Sequence, residues 1–480
     1  LKLYHAAICL TIFMVYSLYL LLTKNAYAGK TQIIVSGAVF MLTLVGVYGF
    51  HYKKEYKIPI IAGFFMLQAG DLLCNGYLSI ETYFPDRETD ESCSIEAFSD
   101  FIDETTTIVD QIEAQDSDFY RIDKMYRRTH NDAMMIGYNG LSHFSSCETE
   151  QVKQFMGNMG FRDNGNWAFF GEGSTSFADC FMGLKYMISQ YDETAKPYQK
   201  LMTYQDKYVY QNPFALSLAF GTTDAITEVS ADTGNHFEYQ NALAESFSGD
   251  PYDIYRPVLL KDIKLVNVEE QDHIYKKIDQ EQEGYIEYQF SADSSDFIYM
   301  YFDAPSIQDT TIVINDLEKA SYFSRYGWSI REVGHFNPGE LVRIRVYLNQ
   351  EQIEIDNYEF YYEDETELAN WYQDAEKTTC QIQKNSSSHL IGTINAAEGT
   401  DLIVFSIPYD TNWNVKIDGN TVKTKEVLDC LMAADITSGT HTIEMRYIPS
   451  GFLRGLPVSL LSFLILVVIV CYEKRKKKAS

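Results

Sequence analysis

Side chains able to bind a charged ligand crowd one short stretch of this chain. From Arg121 to Ser146 it reads RIDKMYRRTHNDAMMIGYNGLSHFSS. Arg121, Arg127, Asn131, Tyr138, Asn139, His143 and Ser145 are the candidate binding residues in it. Guanidinium groups pair with two oxygens at once, so clustered arginines suit an anion such as a phosphate. Tyr126, Tyr138, Phe144 and Trp167 lie in or near the stretch and suit sugar rings by stacking. A plainer reading stands beside this one, in which the arginines neutralise nearby carboxylates such as Asp118 and Asp123.

Asp71 and Asn75 form a second candidate, because they lie four residues apart in an apolar run and so share one helix face. An ionisable group in a membrane helix marks a functional path, or it holds neighbouring helices together by hydrogen bonds. Gly171 to Ser176 reads GEGSTS, a loop whose amides could cradle a phosphate, although an ordinary turn explains it as well. Glu363 to Glu367 reads EDETE and fits the acidic first turn of a solvated helix. The chain has no phosphate-binding G-x-x-x-x-G-K-[ST], no H-E-x-x-H, no G-x-S-x-G and no EF-hand loop. Its nine His are scattered without metal-ligand spacing, so no metal site is expected. No cofactor is evident, and a divalent cation is compatible with the acidity.

These residues need elements to hold them, and the first elements are apolar. Leu3–Leu22, Ile33–Phe50, Ile58–Ile80 and Leu456–Tyr472 are runs of about the length a helix needs to cross a bilayer core. Basic flanks stay in the cytoplasm. Lys53, Lys54 and Lys57 follow the second run, and a tail from Lys474 to Lys478 follows the fourth. The topology then closes with residues 23–32 and 81–455 outside and the C-terminus inside. The expected localisation is the bacterial cell membrane, multi-pass, with the large domain extracytoplasmic. The first residue is Leu, and no small-residue cleavage site follows the first run, so the chain reads as the C-terminal part of a longer polytopic protein.

The net charge of −28 is a sum of opposed parts. Residues 81–450 hold 64 acidic and 27 basic side chains, and the rest hold 3 and 12. The acidic region gives nucleic acid no basic face to bind. The bilayer is the expected partner of the remainder.

The expected fold class is a multi-domain membrane protein. It has an α-helical transmembrane bundle and a large extracytoplasmic α+β region with two β-sandwich-like units. Residues 1–80 carry three helices (3–22, 33–50, 58–80), and 81–205 form a mixed α/β domain. Two-residue alternation marks 206–364 as the first sandwich-like unit. Residues 365–380 form a connecting helix, 381–450 a small second β-unit, and 451–480 the final helix (456–472) and tail. The Asp418-Gly419 pair signals a hairpin. Five cysteines lie in the outer region without CxxC spacing, so one incidental disulfide fits better than a framework.

Several separated motifs carry a resemblance. FYRIDKMYRRTHNDAMMIGYNGLSHFSS, then GSTSFADCFMGLKYMIS, then YQNPFALSLAFG, resembles the YfhO family of bacterial membrane proteins. IPYDTNWNVKIDGNTVKTKEV, followed by GTHTIEMRYIPSGFLRGLPVSLLSF, resembles that family's last β-unit and last membrane helix. The resemblance covers about residues 58 to 472. It implies a polytopic protein similar to GT-C membrane glycosyltransferases. Such a protein transfers sugar from a polyprenyl-phosphate donor to an anionic surface polymer such as lipoteichoic acid. In that class the catalytic carboxylate usually sits in the first outer loop, so the catalytic residues stay unknown here. Two rivals remain: a non-enzymatic surface protein that binds wall polymer or a protein partner, and a transporter with Asp71 and Asn75 lining its path.

Overall fold

The computed structural model describes residues 8, 11–16, 18–19, 30–52, 54–83, 95–163, 166–192, 196–231, 234–304, 310–319, 329–386 and 388–479. They fall into two compact units, Leu1–Asp100 and Phe101–Ser480.

The first unit is helical because its runs are apolar and nearly free of charge. The described residues of the first run are helical, and the rest of 3–22 lies outside the described residues. The second run sits in the helix Lys30–Tyr52. The third sits in Lys57–Tyr83. A Cβ on Gly46 would come within 2.8 Å of the Phe64 ring, so this glycine sets how closely those two helices approach. Lys57–Leu78 and, in the second unit, Ser450–Tyr472 are apolar over 22 and 23 residues. At 1.5 Å per residue each is about 33–35 Å long, enough for a hydrocarbon core of about 30 Å. Among the described residues these two helices are the ones long and apolar enough to cross a membrane. Ile33–Gly46 is shorter. The four-run bundle expected from sequence is thus represented by two such helices.

The second unit mixes helices with many small sheets. Helix Ile95–Glu113 buries Thr105, Ile108, Val109 and Ile112, three or four residues apart on one face. The helix covers a four-stranded sheet in the order Arg121–Lys124, Leu184–Ser189, Lys207–Gln211, Gln199–Tyr204. The first pair is parallel, and the other neighbours are antiparallel. Ile122, Tyr186, Ile188 and Val209 meet the helix in one apolar cluster.

Two sheets then pack across a second apolar cluster. One has the order Asp262–Val266, Tyr285–Ser291, Leu341–Tyr347, Ile312–Ile314, Leu317–Lys319. The other has the order Arg331–Gly334, Phe297–Asp303, Asn357–Glu363, Tyr255–Pro257. Side chains alternate between faces of a strand. Ile286, Tyr288 and Phe290 therefore face Ile298, Met300 and Phe302 inside. A further pair of sheets lies near the C-terminus and shares Leu390, Ile403, Phe405, Met432 and Ile443.

A central cluster joins these parts. Phe297, Tyr299 and Tyr301 from one sheet and Leu402 and Val404 from another pack with Phe177, Phe181, Phe237 and Trp371 from helices. Burying each such aromatic contributes roughly 1.5–3 kcal/mol. Strands Lys207–Gln211 and Ala219–Thr222 lie within the 206–364 range assigned to the first sandwich-like unit, yet they pair elsewhere. The former joins the Arg121 sheet, and the latter pairs with Leu402–Pro408. Alternation fixes a strand's two faces but not its partner, which is why the sequence boundary missed this. Cys74, Cys147, Cys180, Cys380, Cys430 and Cys471 are free, so among the described residues there is no disulfide; Cys9 and Cys93 lie outside them.

Candidate functional site

The Arg121–Ser146 stretch begins on the strand Arg121–Lys124, whose four residues are all buried. A strand beside a parallel neighbour and covered on both faces has no solvent side. The Arg121 guanidinium is therefore inside the fold. Its Nη1 donates to the Met182 carbonyl and, at 2.9 Å, to Ser406 Oγ; Nη2 donates to the Ser406 carbonyl at 2.6 Å. Burial lowers its pKa to about 10, so it stays charged at neutral pH. It ties this sheet to the strand Leu402–Pro408. This corrects the expectation of an open anion site at Arg121, because its donors are spent on internal acceptors.

Two carboxylates organise the loops that follow. Asp123 Oδ2 accepts from the Leu141 and Ser142 amides at 2.9 and 2.7 Å. Its Oδ1 accepts from the Lys124 amide and Ser142 Oγ, both at 2.8 Å. Burial pushes the Asp123 carboxyl upward, and these four bonds oppose the shift. Asp132 accepts from Lys124 Nζ at 2.8 Å, the Arg128 amide at 2.9 Å, and the Thr129 amide and hydroxyl at 2.8 and 3.0 Å. Burial lowers the Lys124 pKa, and Asp132 opposes that shift. Lys124 Nζ also lies 4.4 Å from the centre of the Phe101 ring and 5.1 Å from that of Tyr126.

The other predicted residues divide between interior and surface. Tyr138 is buried in the helix–sheet cluster, and burial raises its pKa. Asn131 bonds the Phe144 amide and carbonyl at 2.8 and 3.0 Å, as a neighbouring strand would. Asn139 donates to the Tyr120 carbonyl at 3.3 Å. His143 places Nδ1 2.8 Å from the Leu141 carbonyl and Nε2 2.7 Å from Glu148 Oε1. Ser145 Oγ accepts from the Cys147 amide at 3.2 Å. Arg127 is exposed and lies 4.3 Å from the centre of the Phe169 ring. His143 and Phe144 pair with Ala168 and Trp167, and Phe144 is 44 % exposed.

A second polar network was not singled out from sequence. Asp179, fully buried, lies 2.5 Å from Lys196 Nζ and accepts from the Tyr198 hydroxyl. Ser174 accepts from Lys196. Beside it, Glu363 Oε2 accepts from Tyr255 Oη at 2.8 Å and the Ser176 amide at 3.3 Å. Burial pushes the Glu363 carboxyl up to about 7. The Gly171–Ser176 loop supplies part of this core and not a phosphate cradle, since Ser174, Thr175 and Ser176 are buried. Gly173 permits it at φ +127°, where a Cβ would come 2.7 Å from the Ile330 carbonyl. The hydroxyl run before a helix was the available signal; Lys196 had none.

Glu363 aside, the acidic run behaves as expected. Asp364 caps the helix Glu365–Ala375 by accepting from the Thr366 and Glu367 amides at 2.9 and 3.1 Å. In the membrane-length helix, Asn75 Nδ2 donates to Asp71 Oδ1 at 2.8 Å and to the Asp71 carbonyl at 3.0 Å. These two bonds lie within one helix. Among the described residues no group of three His, Cys, Asp or Glu could hold a metal ion.

Comparisons with known proteins add context. The family model described as bacterial membrane protein YfhO matches residues 1–459. The chain is 24 % identical over 410 residues to a Bacillus subtilis (strain 168) protein with the name "Uncharacterized protein YfhO", covering 78 % of this chain and 46 % of that one. It therefore spans about half the length of this relative. Among solved structures, a Podospora anserina GH26-CBM35 β-(1,4)-mannanase is 14 % identical over 23 % of this chain and 27 % of its own, with a TM-score of 0.16. A β-glucuronidase from Ruminococcus gnavus is 9 % identical over 35 % and 31 %, with a TM-score of 0.15. At these scores the likeness carries no argument.

Proposed function

Because the chain belongs to the YfhO family of bacterial membrane proteins, we propose that it forms the outer, polymer-handling part of a polytopic glycosyltransferase-like protein. The protein would add sugars from a polyprenyl-phosphate donor to a surface polymer such as lipoteichoic acid. One observation carries this reading. A folded region from Phe101 to Tyr447 lies in sequence between two membrane-length helices, and a basic tail follows the second. Basic residues hold that tail in the cytoplasm. The one crossing made by Ser450–Tyr472 would then put the folded region outside, where lipid-linked sugar and polymer meet.

Glycosyl transfer needs a base for the acceptor hydroxyl and positive charge for the leaving phosphate. Arg127 is the exposed cation proposed for that phosphate, and the 44 % exposed Phe144 is proposed for a sugar face. Asp123, Asp132 and Asp179 are not proposed as the base, since each is buried in its own hydrogen bonds. A divalent cation is proposed only as a mediator between the acidic domain and an anionic polymer.

The commitment of Arg121, Asn131 and Tyr138 to the fold favours a second reading. In it this chain is a non-enzymatic, membrane-anchored binder of wall polymer or of a protein partner. Deleting the gene and measuring the sugar-to-phosphate ratio of purified surface polymer separates the two. Transfer predicts a lower ratio, restored by the wild-type gene and not by Arg127→Ala. An unchanged ratio would sink the transfer reading and leave the binder.

A further inference from the structure

We propose that the end of the last β-unit carrying Tyr409, Trp413, Tyr447 and Ile448 is a lipid-binding surface that sits in the headgroup layer of the bilayer. The placement rests on the reading above, in which Ser450–Tyr472 crosses the membrane. The strand Gly439–Tyr447 runs into the helix Ser450–Ala479 with Ile448 and Pro449 alone between them. The loop before the neighbouring strand Trp413–Ile417 locks this junction. The Ile448 amide donates to the Asn412 carbonyl at 3.2 Å, and the Ser450 amide donates to Asn412 Oδ1 at 2.9 Å. The first amides of a helix have no acceptor within it, so Asn412 caps this helix from the β-unit. Asp410 fixes the cap in turn. Its Oδ1 accepts from Asn412 Nδ2 at 2.7 Å and from the Asn412 amide at 2.8 Å, and its Oδ2 accepts from Tyr447 Oη at 2.9 Å.

Helix length sets the depth of this junction. At about 1.5 Å per residue the 23 apolar residues reach about 35 Å, roughly 5 Å more than a hydrocarbon core of about 30 Å. The basic tail that starts at Lys474 holds Tyr472 at one edge of the core, so the excess falls at Ser450. Headgroups add roughly 5–7 Å on each side, which puts Ser450 within their layer. Asn412 touches the Ser450 amide, and Trp413 follows it at about 3.8 Å between Cα atoms. Trp413 pairs with Tyr447, and their ring centres are 5.1 Å apart.

The residue types at this level suit the headgroup layer. Tyr and Trp carry apolar rings with polar tips, and they concentrate where hydrocarbon meets water. Tyr409 and Trp413 pack on one side against the C-terminal cluster and stay half-buried, as does Tyr447. Ile448 and Phe452, on either side of the helix start, are 48 % and 60 % exposed. Lipid at the boundary of headgroup and acyl chain covers such side chains, which the protein leaves bare. Arg454, four residues into the helix, is exposed, and its long stem lets the guanidinium reach up to a lipid phosphate. The β-unit is thus a direct extension of a membrane helix, with its seat on the bilayer built from the loop that caps that helix.

The test uses the full chain in phosphatidylcholine–phosphatidylglycerol vesicles whose lipids carry bromine either near the headgroup or near the end of the acyl chain. Bromine quenches tryptophan emission at its own depth. The shallow label should quench the wild type more than the deep one, and Trp413→Phe should lose roughly half or more of that shallow quenching, since Trp167 and Trp371 are buried in the fold. Ile448→Trp should add emission that the shallow label quenches. Thr442→Trp, at an exposed position roughly 17 Å back along the strand from Tyr447, should add emission that neither label quenches. Leu461→Trp, at the middle of the span, should be quenched most by the deep label. Ile448→Trp quenched no more than Thr442→Trp overturns the proposal, even where Trp413→Phe fails to fold, and so does equal shallow quenching of wild type and a folded Trp413→Phe. Absence of deep quenching at Leu461→Trp removes the crossing and this seat with it, whereas deep quenching there without shallow quenching at positions 413 and 448 removes the seat alone.

Discussion

Replacing Glu363 with Gln should remove a large pH dependence of stability. The carboxyl lies fully inside the junction of helix Ser176–Phe181 with strands Tyr255–Pro257 and Asn357–Glu363, and burial raises it from 4.5 to about 7. The folded state thus holds this proton more tightly than the unfolded state. Stability from the protonated form is complete below pH 4.5 and is lost as the pH rises to about 7. At 1.36 kcal/mol per pH unit, that window is worth about 3 kcal/mol. Gln has the same shape and no charge. Its carbonyl can accept from Tyr255 Oη and the Ser176 amide as Glu363 Oε2 does. Unfolding of the detergent-solubilised full chain, followed by urea titration between pH 4.5 and 8, measures the difference. The wild type should lose about 3 kcal/mol relative to Glu363→Gln across the window, and the variant should be the more stable of the two at pH 8. Parallel curves would refute the buried, proton-holding carboxyl.

Arg121→Ala should destabilise the fold by roughly 2–3 kcal/mol, because the Met182 and Ser406 acceptors lose their donor inside the protein; an unchanged urea midpoint would return Arg121 to the list of ligand residues. Asp71→Leu should favour insertion of the Lys57–Leu78 helix by about 3 kcal/mol in a translocon-dependent insertion assay, and no change would mean that position 71 does not enter the bilayer. Cys147 is exposed, so a membrane-impermeant maleimide should label it in intact cells; labelling only after lysis would reverse the proposed orientation.

Much of the strand pattern was legible because alternation is a local property. Within the alternating range 206–364, the strand Leu341–Tyr347 buries Val342, Ile344 and Val346 and leaves the residues between them less buried. The end of that range holds two strands, Gln352–Glu354 and Asn357–Glu363, in different sheets. Gln381–Ser386 is mostly polar, and its place comes from pairing with His389–Ala396. The arginines were visible as a cluster, but their burial was not. Arg121 is spent on Ser406, 285 residues away in sequence, while Arg127 reaches the surface. Spacing along a chain reports neither such a contact nor the meeting of Asp179 with Lys196 in the core.

The proposed role of this protein is to act on the sugars of a cell-surface polymer. Its most direct measurement is the hexose-to-phosphate ratio of lipoteichoic acid purified from wild-type, deletion and complemented cells. The ratio should fall on deletion and return with the intact gene. The same ratio in all three strains would contradict it.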